Sequence, residues 1–129
     1  MTHFRKLASR LLASQHGSTA VEFALVAPVL IMFLIGGMYL SMLGFTASSL
    51  RFAVQAGARC ASINTTSCSN ATSIQSYASQ QFINVTGNAA TFTATTPTCG
   101  NQVVASVNFP LLTGISRITV PLSASACFP

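Results

Sequence analysis

VEFALVAPVLIMFLIGGMYLSMLGF, residues 21–45, carries one charged side chain, Glu22, and none after it. About 20 consecutive apolar residues suffice for a helix to cross the roughly 30 Å hydrocarbon core of a bilayer, and this run is longer. Its N-terminal flank holds Arg5, Lys6 and Arg10 within the first ten residues. An excess of Lys and Arg marks the cytoplasmic side of a span. The pattern therefore predicts one transmembrane helix over 18–45, a basic leader over 1–17 in the cytoplasm, and a domain over 46–129 outside it. An ordinary signal peptide has an apolar region of only about 7–15 residues before a small-residue cleavage site. The nearest such site here, Ala47-Ser48-Ser49, would cut through a helical pattern.

Composition agrees with an anchor joined to one small domain. Half of the 129 residues are apolar and 5% are charged, against roughly 25% charged in ordinary soluble domains. The net charge of +5 does not mark a nucleic-acid binder. Beyond the leader only Arg51, Arg59 and Arg117 remain, and phosphate tracking needs several cations on one face. Asp is absent, Glu22 is the sole carboxylate side chain, and His3 and His16 both precede Gly17. The domain thus lacks the titratable groups that general acid–base chemistry and activated nucleophiles require. It has no His/Cys metal spacing and no glycine-rich phosphate loop. The reading is of a protein that is not an enzyme and takes no cofactor or metal.

Beyond the apolar run the helical period continues. In TASSLRFAVQAGARCAS, residues 46–62, Leu50, Ala53, Val54, Gly57 and Ala61 share one face, with Arg51, Gln55, Arg59 and Ser62 opposite. This predicts one continuous helix whose outer part is amphipathic and packs on the domain. A Ser/Thr/Asn-rich connector, 63–72, precedes a second helix. Thr72 and Gln75 have capping-box spacing. Ile74, Tyr77, Ala78, Phe82 and Val85 make its apolar stripe, and Thr86-Gly87-Asn88 ends it. The remainder alternates with period two. Ala90, Phe92 and Ala94 share a face, as do Val103, Ala105, Val107 and Phe109, and then Ile118, Val120, Leu122 and Ala124. Residues 96–101 and 110–116 read as turns. Pro121 cannot donate to a ladder, so it marks an edge strand or a position whose N–H would point outward. The fold class is α+β: a long N-terminal helix, a second helix and a three-stranded antiparallel meander.

Cys60, Cys68, Cys99 and Cys127 all follow the apolar run, on the side read as oxidising. Four cysteines allow three pairings. Cys60 ends the long helix and a short connector returns the chain to Cys68. Cys99 lies in the first strand turn, and in a meander the end of the third strand, with Cys127, returns to that edge. The expected bonds are Cys60–Cys68 and Cys99–Cys127.

Gly17-Ser18-Thr19-Ala20-Val21-Glu22-Phe23 joins leader and anchor. A glycine before a helix start, followed five residues later by Glu at the head of an apolar run, resembles the processing site of type IV prepilins and pseudopilins. The longer stretch GSTAVEFALVAPVL, with AVQAGARCAS after the anchor, resembles the TadE-type pseudopilins of the tight-adherence (Flp) pilus system. That resemblance implies that a prepilin peptidase cuts between Gly17 and Ser18 on the cytoplasmic face. Glu22 and Phe23 would then serve processing and assembly. The product would stay in the bacterial inner membrane as a single-pass protein with a periplasmic domain, among other pseudopilins and pilus assembly platform proteins. The competing readings are an unprocessed anchor protein and a signal-peptide-bearing envelope binding protein with no pilus role. Within the anchor, Pro28 can kink the helix, and Gly37 and Ser41 have small-xxx-small spacing suited to helix contact.

Overall fold

A computed structural model describes residues 16–112 and 117–129, with side chains described for 19–111 and 118–129. The leader cations Arg5, Lys6 and Arg10, with His3, lie outside the described residues, as do the turn residues 113–116. The chain divides into two compact units, Met1–Met38 and Tyr39–Pro129. Helix α1, His16–Ile63, contributes to both without interruption. Its 48 residues include Pro28 and no other proline. An apolar medium offers backbone groups no alternative partner, so intrahelical bonding persists there.

In the first unit the described side chains of α1 face outward. Phe33 is 77% exposed and Met32 74%. In the second unit α1 acquires a buried stripe: Thr46, Ser49, Leu50, Ala53, Val54, Gly57 and Ala58. Arg51, Gln55 and Arg59 stay exposed on the other face, as the periodicity predicts. Ser62 departs from that reading. It is half-buried, with its hydroxyl 3.2 Å from the Ala58 carbonyl and 3.5 Å from that of Phe128, and Asn101 Nδ2 donates to it over 3.5 Å. The last turn of α1 is therefore tied to the start of the second strand and the end of the third, a contact that helical spacing alone does not reveal.

Helix α2, Ala71–Gln81, begins earlier in its capping than expected. The capping box is Asn70 with Ser73, not Thr72 with Gln75: Asn70 Oδ1 accepts from Ser73 N–H at 2.8 Å and Ser73 Oγ accepts from Asn70 N–H at 3.1 Å. An Asn side chain is a strong N-cap acceptor, and here it stands ahead of Thr72. The helix also stops sooner. Phe82 is extended, φ −82° and ψ 116°, and the next amide, Ile83 N–H, donates to Ser49 Oγ at 2.9 Å. Asn84 Oδ1 then accepts from the amides of Thr86 and Gly87. Val85 is accordingly 44% exposed instead of continuing the apolar stripe. Ile74 and Ala78 carry the buried face.

The sheet has order β1-β2-β3, all antiparallel, from β1 Thr91–Thr95, β2 Asn101–Leu112 and β3 Arg117–Phe128. Pro110, Leu111 and Leu112, read from sequence as turn, belong to β2. The reason lies in the register. Pairing with β1 ends at Thr91↔Ser106, so β2 runs on with only β3 beside it. The Asn108 carbonyl accepts from Asn88 Nδ2 at 2.7 Å, on the side away from β3. Successive residues of an antiparallel strand bond to opposite sides, so Asn108 and Pro110 both turn their bonding groups away from β3. Their partners Pro121 and Thr119 likewise face the free edge of β3, and the missing N–H of either proline removes no ladder bond.

Leu50, Val54, Ala58, Ile74, Ala78, Val103, Ala105 and Val107 form the core, with Phe92, Leu122 and Phe128 packed against it. Phe82 meets Phe92 edge-on, ring centroids 6.3 Å apart. The helices come close at Gly57, where an added Cβ would stand 2.9 Å from Ala78 Cβ. Overpacking a well-filled core costs about 1–3 kcal/mol. Gly57→Val should destabilise the domain by about that amount in denaturant unfolding of the full chain in detergent. Gly36→Val, at a position with open space, should leave the same transition unmoved.

Cys60 is bonded to Cys68, Cα–Cα 5.9 Å, and Cys99 to Cys127, Cα–Cα 6.3 Å. The first bond closes the turn leaving α1. The second joins the β1–β2 turn to the end of β3. That turn requires Gly100, whose φ is +113° and whose added Cβ would collide with the Phe128 carbonyl. The Cys99–Cys127 bond spans a sequence separation of 28, for which loop-closure entropy gives about 3.5 kcal/mol. Replacing both cysteines by Ala should lower unfolding stability by about that much.

Candidate processing and anchoring site

The residues singled out at the leader–anchor junction fall in the first described turns of α1. Helix begins in the description at His16, so Gly17 and Ser18 have helical backbone, whereas the sequence pattern put Gly17 just ahead of a helix start. The side chains at 17 and 18 lie outside the described ones. A protease cleft binds extended backbone, so a Gly17–Ser18 peptide within a helix must first unwind. Glycine lowers that requirement, being about 1 kcal/mol less favourable than Ala inside a helix. Glu22 is exposed and stands four residues after Ser18, one helical turn or about 6 Å of rise. Phe23 is 72% exposed.

From Val21 to Met38 the exposed side chains make an apolar band: Leu25, Leu30, Ile31, Phe33 and Leu34 are each more than half exposed. At roughly 25 cal/mol per Å² of apolar surface, such a band is strongly unfavourable in water and requires lipid or protein around it. Among the described residues, α1 is the one helix long and apolar enough to cross a membrane. Gly37 and Ser41 lie one turn apart on it, and an added Cβ at Gly36, Gly37 or Gly44 would meet nothing within 4 Å. A neighbouring helix could approach closely at that face.

The second unit, Tyr39–Pro129, offers shallow grooves. One, between the α2 N-terminus and the β1–β2 end of the sheet, is lined by Thr65, Asn70, Ile74, Thr95 and Gln102 among others, with no group that titrates near neutrality. A second, along α1, has Arg59 and Tyr77; the Arg59 guanidinium also lies 5.9 Å from the Phe128 ring centre. Among the described residues no cluster of His, Cys, Asp or Glu could hold a metal ion.

Sequence reasoning missed the Ser49 clamp. Ser49 is 8% exposed on α1 and receives the Ile83 amide from a segment 34 residues away. Leaving a buried amide unpaired costs about 1–3 kcal/mol. Ser49→Ala should therefore speed hydrogen exchange at the Ile83 amide and weaken the domain by about that amount.

Residues 17–59 match the family model described as TadE-like protein. No curated protein and no solved structure matches the chain. The matched segment starts at Gly17, contains Glu22, Phe23 and the whole apolar run, and ends one residue before Cys60. Over this segment, about a third of the chain, the protein is similar to the TadE-like family of the Tad/Flp pilus system.

Proposed function

We propose that the chain is a pseudopilin of that pilus system, cut by a prepilin peptidase after Gly17 and held in the inner membrane by α1. The observation that carries this reading is the TadE-like match over residues 17–59, coinciding with an exposed apolar helix that has a single carboxylate at its head. The leader over 1–17, with Arg5, Lys6 and Arg10, stays in the cytoplasm under the positive-inside rule and is removed. Residues 18–45 span the bilayer, and 46–129 form the periplasmic domain, where the two disulfides suit the compartment. Its role is structural and not catalytic.

Cleavage changes the electrostatics of the anchor. A free ammonium at Ser18 would lie about one turn from Glu22, and cleavage would leave Glu22 close to the new helix N-terminus. A negative charge there is favoured by the unsatisfied amides and the helix dipole. A charge at membrane depth costs roughly 2.5–3.5 kcal/mol on insertion scales, so pairing of amine and carboxylate, within one chain or between neighbouring anchors, stabilises insertion. The partners are then the peptidase, other pseudopilins and the proteins of the assembly platform, with lipid around α1.

N-terminal sequencing of the membrane-bound protein should read Ser18 as the first residue. Gly17→Leu should leave the leader attached to a chain that is still membrane-inserted. A mature chain beginning at Met1 would instead favour an unprocessed anchor protein. A soluble one beginning near residue 50 would favour a signal-peptide-bearing binding protein.

A further inference from the structure

Within the second unit α1 has two apolar faces, and the core uses one of them. Leu50, Ala53, Val54, Gly57 and Ala58 are buried. Turned away from that stripe, Phe45, Phe52, Ala56, Arg59 and Ile63 follow one another at spacings of seven, four, three and four. A row that repeats at about 3.5 residues stays on one side of a helix and is the pattern on which a second helix packs. Here the row has no cover: Phe45 is 47% exposed, Phe52 59% and Ile63 76%.

The row lies in a trough. One hollow holds Phe52, Gln55, Arg59 and Ile63, with Tyr77 of α2 as its other wall. The next holds Phe45 and Phe52, with Gln80 of α2 and Ile83 just past its end. The two hollows share Phe52, so the trough runs on from Phe45 to Ile63, about 27 Å of helical rise. Tyr77 belongs to the apolar stripe of α2 by spacing, yet it is exposed on this side, because Ile74 and Ala78 fill the core face.

The charge on the trough has one sign. Arg59 lines it, and Arg51 is exposed next to Phe52. The Arg59 guanidinium lies over the Phe128 ring, a contact that uses its face and leaves its N–H edge for a planar anion. The second unit contains no Asp and no Glu, so it has no carboxylate side chain to give either arginine. The same unit of a second copy has none to offer.

We propose that the trough between α1 and α2 is a docking site for an acidic amphipathic helix of another protein, its apolar side laid along Phe45, Phe52 and Ile63 and a carboxylate paired with Arg59. The occupant is a helix because the exposed row has the repeat and the length of a helix–helix seam. It is acidic because the cations of the trough have no anion of their own. Residues 45–83 carry the whole site, and it does not depend on cleavage after Gly17.

The chain contains no tryptophan, so Phe52→Trp places a single reporter in the trough. The full chain, with disulfides intact and in zwitterionic detergent, would be titrated with Trp-free synthetic helices of about three heptads, Leu at the seam positions and either Glu or Lys beside them. The expected result is a saturable blue shift with the Glu peptide, at an affinity about tenfold above that of the Lys peptide, and the reverse order of the two peptides in an F52W/R59E double variant. No shift with the Glu peptide, or equal affinities for both peptides, would overturn the proposal. A dimer of the unsubstituted chain that Phe52→Asp dissociates would overturn it in favour of a second copy. Quenching of F52W by brominated phosphatidylcholine in nanodiscs, as strong as that of Phe33→Trp, would overturn it in favour of lipid.

Discussion

The structure depends on one constraint: a segment sheathed in apolar side chains gives its backbone few outside partners, so it must satisfy its amides within itself. A 48-residue helix answers this and carries the solution past the apolar run into the domain. Because α1 does not stop at Phe45, its outer half is available as a ready-made core element. Leu50, Ala53, Val54 and Ala58 supply one wall of the domain. The sheet supplies the other through Val103, Ala105 and Val107. A domain with so little sequence outside the helix cannot bury enough surface by itself, and the two disulfides compensate by restricting the unfolded chain.

Small polar groups then fix what the hydrophobic pattern leaves open. Ser49 captures the amide that would otherwise extend α2. Asn70 and Ser73 close its other end reciprocally. Ser62 fastens the last turn of α1 to the open end of the sheet. None of these side chains is charged, and each gives a backbone amide or carbonyl a partner within the chain.

Much of this was legible in the sequence, for reasons that can be named. The apolar run is longer than the core of an ordinary signal peptide, and the alternation of Val103, Ala105, Val107 and Phe109 reads as a strand with one buried face. The meander brings Cys99 and Cys127 to one edge whatever the details of its turns. The resemblance around Gly17, Glu22 and Phe23 could be read because those residues adjoin one another. The α2 boundaries were not legible. Thr72/Gln75 and Asn70/Ser73 both have capping spacing, and the choice rests on which side chain reaches an amide first. The stop at Phe82 depends on Ser49, a residue in another element. Pro110 is a turn residue by habit and a strand residue here only because β1 ends short of it. The helical backbone at Gly17 was hidden because glycine is equally compatible with a helix start and with an early helical turn.

The scarcity of ionisable side chains has a consequence for how the molecule meets its surroundings. From Phe23 onward there is no Asp, Glu, His or Lys, so no side chain of a type that ordinarily changes charge near neutrality occurs there. A change of pH around neutrality therefore finds no side-chain carboxylate, imidazole or amine in the domain to act on. What the domain offers its surroundings is read by shape and hydrogen bonding more than by charge.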